Sequence, residues 1–263
     1  MLTQRIASAA VGVPVILLLI YAGGTWYTAA VAAALAIAAV EFQHARRDWL
    51  DPVCVLTGAL VAGIAVGARA STGVWASWLI GAAVLAPLAA MARPTDSDVR
   101  IDALWALAGV TYVGFLGSFM VLLRYIDFDG RSWVYLTVLS TFAVDTGSYF
   151  TGRAIGRHKL APRISPKKTV EGLVGGYMAG FAAVVLLGYL FDLGVAPAKM
   201  SLLGLLLPGV AAVGDLAESA IKRLAGIKDA SELIPGHGGV LDRLDSILFT
   251  FALVYLFTQW VVY

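Results

Sequence analysis

The chain alternates long apolar stretches with short polar breaks. Nine stretches approach the roughly 20 residues that a helix needs to cross a bilayer. They lie at about 6–22, 26–41, 53–70, 74–92, 103–123, 133–151, 172–191, 201–223 and 244–262. The pattern predicts an all-α, polytopic integral membrane protein of about nine transmembrane helices. The first stretch, preceded by Arg5, also has the outline of a secretory signal. With eight further spans behind it, it reads as a retained span. The second is short and rich in Ala. Composition points the same way: of 263 residues 60% are hydrophobic and 14% charged, and the mean hydropathy is +0.83. Soluble domains carry about 25% charged residues. Cys54 is the one cysteine, so there is no internal disulfide framework.

Polar residues are unevenly placed, which suggests three regions. Residues 1–92 read as an N-terminal transmembrane scaffold, rich in the small residues that let helices pack closely in lipid. Residues 93–132 open with a polar break, RPTDSDVRID, and form a middle transmembrane segment. Residues 133–263 read as the catalytic transmembrane region, because polar groups enter the spans themselves from Ser140 onward. Lys and Arg are one-sided as well. Only Arg69, Arg124, Arg131 and Lys199 fall in segments opposite the N-terminus, out of 19 basic residues. By the positive-inside rule the N-terminus and the charged loops are cytoplasmic, which fits the inner membrane of a bacterium. Such a face attracts anionic lipid and nucleotide phosphates, although topology alone would produce the same bias.

Within the third region acidic residues of three spans converge on the cytoplasmic half of the bilayer. Asp145 lies about 12 residues into the sixth span and Asp215 about 14 into the eighth, or roughly 18 and 21 Å at helical rise. Asp242 and Asp245 open the ninth. Ionisable groups at such depths cost a few kcal/mol and mark function by default. The plainer reading is an Asp paired with Lys or Arg. Asp215, Glu218, Ser219 and Lys222 share one helical face, as do Asp242, Asp245 and Ser246. Two carboxylate faces make an oxygen-rich site that suits Mg²⁺, which takes one or two carboxylates plus waters and substrate phosphates. No His or Cys spacing suits zinc.

Two loops add anion-binding chemistry. PGHGG (Pro235 to Gly239) places His237 among glycines whose amides can form an anion nest. Between the sixth and seventh spans, Ser165, Pro166, Lys167, Lys168 and Thr169 lie just before Glu171. There a helix N-terminus beside two Lys and two hydroxyls would hold phosphate.

The segment SAIKRLAGIKDASELIPGHGGVLDRLD (Ser219 to Asp245) resembles the signature of the phosphatidate cytidylyltransferase family, also called CDP-diacylglycerol synthases. Ser219, Lys222, Arg223, Lys228, Asp229, Ser231, His237, Gly238, Gly239, Asp242, Arg243 and Asp245 fill its positions. GDLAES (Gly214 to Ser219) and the stretch from Thr141 to Gly172 are similar to the family too. The likeness covers about the last half of the chain. It implies the reaction CTP + phosphatidate → CDP-diacylglycerol + pyrophosphate, with Mg²⁺, a second cation such as K⁺ beside it, and a homodimer. By this resemblance Asp215 and Asp242 are the metal ligands, with Asp145 and Asp245 near them. Asp215, Asp242, Asp245, Lys222 and Arg223 would carry the catalysis. Lys167 and Lys168 join Lys222 and Arg223 in holding nucleotide or lipid phosphates. Asp145, Ser165, Thr169, Glu171, Ser219, Lys228, Asp229, His237, Gly238, Gly239 and Arg243 complete the expected substrate site.

Two other readings are open to the residues alone. Asp129-Gly130-Arg131 begins like a CDP-alcohol phosphotransferase motif but lacks the rest and faces outward. Intramembrane Asp145 and Asp215 would suit an ion pathway, yet the charged groups collect at one face, whereas a transporter needs access from both.

Overall fold

The computed structural model describes residues 2–93, 95, 98–231, 233 and 238–262, and of residues 2–9 and 11 the backbone only. Among these residues the helices are α1 Leu2–Ala22, α2 Gly24–His44, α3 Pro52–Ala70, α4 Thr72–Ala92, α5 Val99–Arg124, α6 Gly130–Ile155, α7 Val170–Leu190, α8 Pro197–Leu224 and α9 Leu241–Val262. They coincide with the nine apolar stretches. Seven of them, α2–α5 and α7–α9, are long and apolar enough to cross a membrane. In α1 the described side chains of Gly12–Ala22 are apolar as well. In α6 the polar run around Asp145 and Ser148 lowers the hydropathy. The chain is an all-α, polytopic membrane protein with one small exception. In the loop after α6, β1 (Lys159–Ala161) and β2 (Ser165–Thr169) pair as an antiparallel hairpin. The segment expected at a helix start is therefore a strand that runs up to one.

The chain forms two compact units, residues 1–125 with 225–244 and residues 126–224 with 245–263. In the first unit, local signals punctuate the helices. Asp51 caps α3, its carboxylate accepting from Val53 N–H at 2.7 Å, with Pro52 at the first helical position. Ser71 ends α3 and caps α4, its hydroxyl accepting from Val74 N–H at 3.2 Å. Such caps satisfy amides that the helix leaves without partners. Small residues set the spacing. Ala82, Ala86 and Ala90, four apart on α4, are fully buried in a cluster with Ile64 and Val110. The middle of α5, Val110–Phe115, is wound as a π-helix. There Gly114 lies against Ile64 and Val61, where a Cβ would come within 2.9 Å of the Ile64 side chain.

One end of this unit is held by a buried ionic network. Arg47 pairs with Asp51 at 3.3 Å and Asp102 at 3.4 Å, and donates to the carbonyls of Arg93 (2.8 Å) and Ala90 (3.4 Å). Asp102 also accepts from the backbone N–H of Thr95 at 2.7 Å and from its hydroxyl at 2.8 Å. The network therefore joins the segments that follow α2 and α4 to the starts of α3 and α5.

In the second unit α6 and α7 pack through glycine. A Cβ on Gly147 would come within 2.8 Å of the Gly175 carbonyl, and one on Gly172 within 2.9 Å of the Ser148 carbonyl. Backbones this close are typical of helices that associate in lipid. Thr141 donates to Thr250 at 3.0 Å, which links α6 to α9. Only 22% of the apolar window of α7 is buried, and Met178 and Tyr189 point outward.

Removing a partner from a buried ion pair leaves a charge uncompensated, which costs on the order of 3 kcal/mol. Arg47 and Asp102 have side chains only 3% and 1% exposed. Asp102→Ala is therefore expected to lower the unfolding free energy by about that amount, measured by denaturant titration in detergent micelles. A change within error would show that the network is not needed for stability.

Candidate active site

In the second unit, the face of α8 predicted from spacing carries alternating charge. Lys168 on β2 reaches Asp215, Nζ to Oδ2 at 2.6 Å, and both side chains are partly covered. One turn further on, Glu218 is buried at 1% exposure and pairs with Lys222 at 2.7 Å. At the end of α8, Arg223 Nε donates to the Ile164 carbonyl at 3.4 Å, which ties the helix to the turn of the hairpin. Ser219 lies partly buried on the same helix, and Asp145 is exposed on α6. Gly214 lets α8 approach α9, since a Cβ there would come within 2.8 Å of the Asp245 carbonyl. Asp245 itself accepts from Ser246 N–H at 2.6 Å.

The residues before α7 have defined local work. The Thr169 hydroxyl accepts from Gly172 N–H at 3.1 Å and caps α7. Glu171 accepts from the backbone N–H groups of Arg157 (3.0 Å) and His158 (3.2 Å), and its carboxylate lies 2.6 Å from His158 Nδ1. It joins the end of α6 to the start of α7. Ser165 and Lys167 lie along the strand, with Lys167 open to solvent.

In the first unit, the signature loop is organised by two carboxylates. Asp242 Oδ2 accepts from Ala230 N–H at 3.0 Å and Gly239 N–H at 2.8 Å. Glu41, fully buried on α2, accepts from the Ser231 hydroxyl (2.6 Å), Val240 N–H (3.0 Å) and Leu241 N–H (2.7 Å). The glycine pair follows from this. Gly238 has φ +81°, a left-handed conformation that glycine adopts without penalty, and it lies against Asp242. A Cβ on Gly239 would come within 2.7 Å of the Glu41 oxygens. Lys228, Asp229 and Arg243 are exposed. An open cleft of about 470 Å³ is lined by His44, Ala45, Trp49, Ile227, Asp229, Ala230 and Ser231. His237 lies outside the described residues.

The sequence reading missed Glu41. It sits in a stretch of Ala and Val that reads as scaffold, and a lone carboxylate in such a helix was the available signal. His158, which meets Glu171, was equally unmarked. The donor chemistry of the acidic residues suits Mg²⁺, which takes hard oxygen ligands. Among the described residues no three His, Cys, Asp or Glu side chains cluster, but Mg²⁺ needs no such cage. One or two carboxylates suffice when substrate phosphates and waters supply the rest.

A sequence profile described as the cytidylyltransferase family matches residues 3–261. A phosphatidate cytidylyltransferase of Synechocystis sp. is 34% identical over 97% of this chain and 96% of its own length. One from Mycobacterium bovis is 33% identical over 92% of this chain and 83% of its own. One from Brucella suis is 43% identical over 58% of this chain and 56% of its own.

The contact at Gly239 gives a direct check. Gly239→Ala is expected to lower the thermal midpoint by several degrees, on the order of 1 kcal/mol or more, because the new methyl meets Glu41. Gly81, in α4, has nothing within 4 Å of a Cβ, so Gly81→Ala should be neutral or slightly stabilising. Equal effects in differential scanning fluorimetry would remove the steric explanation.

Proposed function

The chain belongs to the cytidylyltransferase family, and on that premise we propose that it is a phosphatidate cytidylyltransferase. In this reading it transfers CMP from CTP to phosphatidate, giving CDP-diacylglycerol and pyrophosphate for phospholipid synthesis. The observation that carries the reading is the relative of that name which matches nearly end to end. The charged face of α8, with Lys168 on Asp215 and Lys222 on Glu218, supports it from the chemistry. So does the apolar build of the chain, since one substrate is a membrane lipid and the other is soluble in water.

The reaction needs no protein nucleophile. A phosphate oxygen of phosphatidate is anionic near neutral pH and attacks the α-phosphorus of CTP. The new P–O bond forms as the bond to the β-phosphate breaks, and pyrophosphate leaves with the electron pair. The difficulty lies in bringing two polyanions together and neutralising the leaving group, which calls for positioning and fixed charge. Lys168, Lys222 and Arg223 are suited to hold phosphate oxygens, and Lys167, Ser165 and Ser219 are candidates to extend that surface. Lys168 and Lys222 already have carboxylate partners, which keep the ammonium groups oriented before substrate arrives. The turn that Gly238 and Gly239 shape against Asp242 and Glu41, with Lys228, Asp229, His237 and Arg243 around it in sequence, is proposed to meet the nucleotide. Mg²⁺, when bound, would neutralise charge on the triphosphate and the departing pyrophosphate. Asp215 and Asp242 are the carboxylates proposed to take it, with Asp145 and Asp245 as further acidic groups and K⁺ as a second cation. Placement in a bacterial plasma membrane with the active face toward the cytoplasm, and assembly as a homodimer, belong to the same proposal.

The test is product formation. Protein purified in detergent, given phosphatidate, CTP and Mg²⁺, is expected to make CDP-diacylglycerol detectable by mass spectrometry. Asp215→Asn should reduce the rate by about 100-fold or more, the scale of a lost electrostatic contact in a transition state. Asp242→Asn should do the same while keeping an oxygen for the amides of Ala230 and Gly239, and Asp242→Ala should also lower stability. No product from folded wild-type protein would overturn the reading.

A further inference from the structure

Ala230 and Ser231, and again Gly239, Val240 and Leu241, are held by the same two carboxylates. Ala230 N–H donates to Asp242 and the Ser231 hydroxyl to Glu41. Further along, Gly239 N–H donates to Asp242, and Val240 and Leu241 N–H donate to Glu41. Val240 and Leu241 stand at the N-terminus of α9, where the helix leaves its amides without partners. A negative charge is favoured there by the helix dipole as well. Glu41 thus caps α9 from a helix 200 residues away in sequence. A carboxylate with no exposure in an otherwise apolar helix is costly, and these donors are what make it tolerable.

Charge and shape both matter at this position. The two Glu41 oxygens face the Val240 and Leu241 amides separately, Oε1 and Oε2 in turn. A Gln side chain has one oxygen, so in either orientation its NH₂ would face a backbone N–H. Glu41 also holds Ser231, which lines the cleft with Trp49, His44 and Asp229. Charged Asp229 lines that cleft and exposed Lys228 precedes it in sequence, a polar setting that suits the water-soluble substrate better than acyl chains.

We propose that Glu41 is a positioning residue for the transfer reaction: it fixes Ser231, Val240 and Leu241, and through them Gly239 and Asp242, in the arrangement that binds CTP. This rests on the functional reading above. Glu41 need not touch either substrate; it acts through the loop.

The experiment joins kinetics to hydrogen exchange on purified protein in detergent. Glu41→Gln is expected to raise the KM for CTP about tenfold, the equivalent of one hydrogen bond to a charged group. The KM for phosphatidate should stay within about twofold, the scale of one near-neutral contact. Peptides covering Val240 and Leu241 should exchange faster than in wild type. Ser231→Ala, which removes one bond and leaves the cap, should raise the CTP KM less and add little on top of Glu41→Gln. A merely structural residue would lower the active fraction, seen as reduced kcat with both KM values unchanged. That result, or unchanged exchange at Val240 and Leu241, would overturn the proposal. Wild-type protein without transferase activity would overturn the functional reading instead, and faster exchange in Glu41→Gln would then still assign Glu41 to the loop.

Discussion

A carboxylate shut away from water in an apolar bundle must be met by donors, and that constraint organises this protein. Glu41 on α2 is the clearest case. Its partners are a hydroxyl and two backbone amides contributed by the far end of the chain. Because the amides belong to the start of α9, the cost of burying the charge and the need to cap a helix are met by one contact. Asp102 follows the same logic with Arg47 and Thr95. So does Glu218, buried on α8, with Lys222. In an interior with so few polar groups, the pairings of Glu41 and Asp102 fix where loops can lie.

That constraint also accounts for the glycines. Gly238 and Gly239 read most simply as a place where backbone approaches a ligand. In the structure they approach carboxylates: Asp242 in one case and Glu41 in the other. Glycine at 147, 172 and 214 allows helices in the second unit to come into backbone contact. Small residues therefore serve two ends here, close helix packing in lipid and room for buried charges.

Much of the fold was legible in the sequence because crossing a bilayer imposes a length and a composition. The apolar stretches predicted the helices closely, α6 included, although its polar residues keep it outside the set of clearly membrane-crossing helices. The hairpin at 159–169 was not legible. Ser-Pro-Lys-Lys-Thr has no alternation to mark a strand, and its pairing with Lys159–Ala161 is a tertiary fact. For the site, periodicity correctly placed Asp215, Glu218 and Lys222 on one helix. It could not show that Lys168 meets Asp215, since that contact joins a strand to a helix across 47 positions of sequence. Glu41 was the largest omission. Its partners lie about as far away as the chain allows, and local pattern carries no trace of them.

The chemistry proposed for these groups is attack by the lipid phosphate on the α-phosphorus of CTP, with every phosphate oxygen of the lipid kept in the product. Phosphatidate labelled with oxygen-18 at its three non-ester phosphate oxygens tests this most directly. After reaction with unlabelled CTP and the wild-type protein, all three labels should appear in CDP-diacylglycerol and none in pyrophosphate. Label in pyrophosphate, or a lipid product that has lost it, would contradict the mechanism.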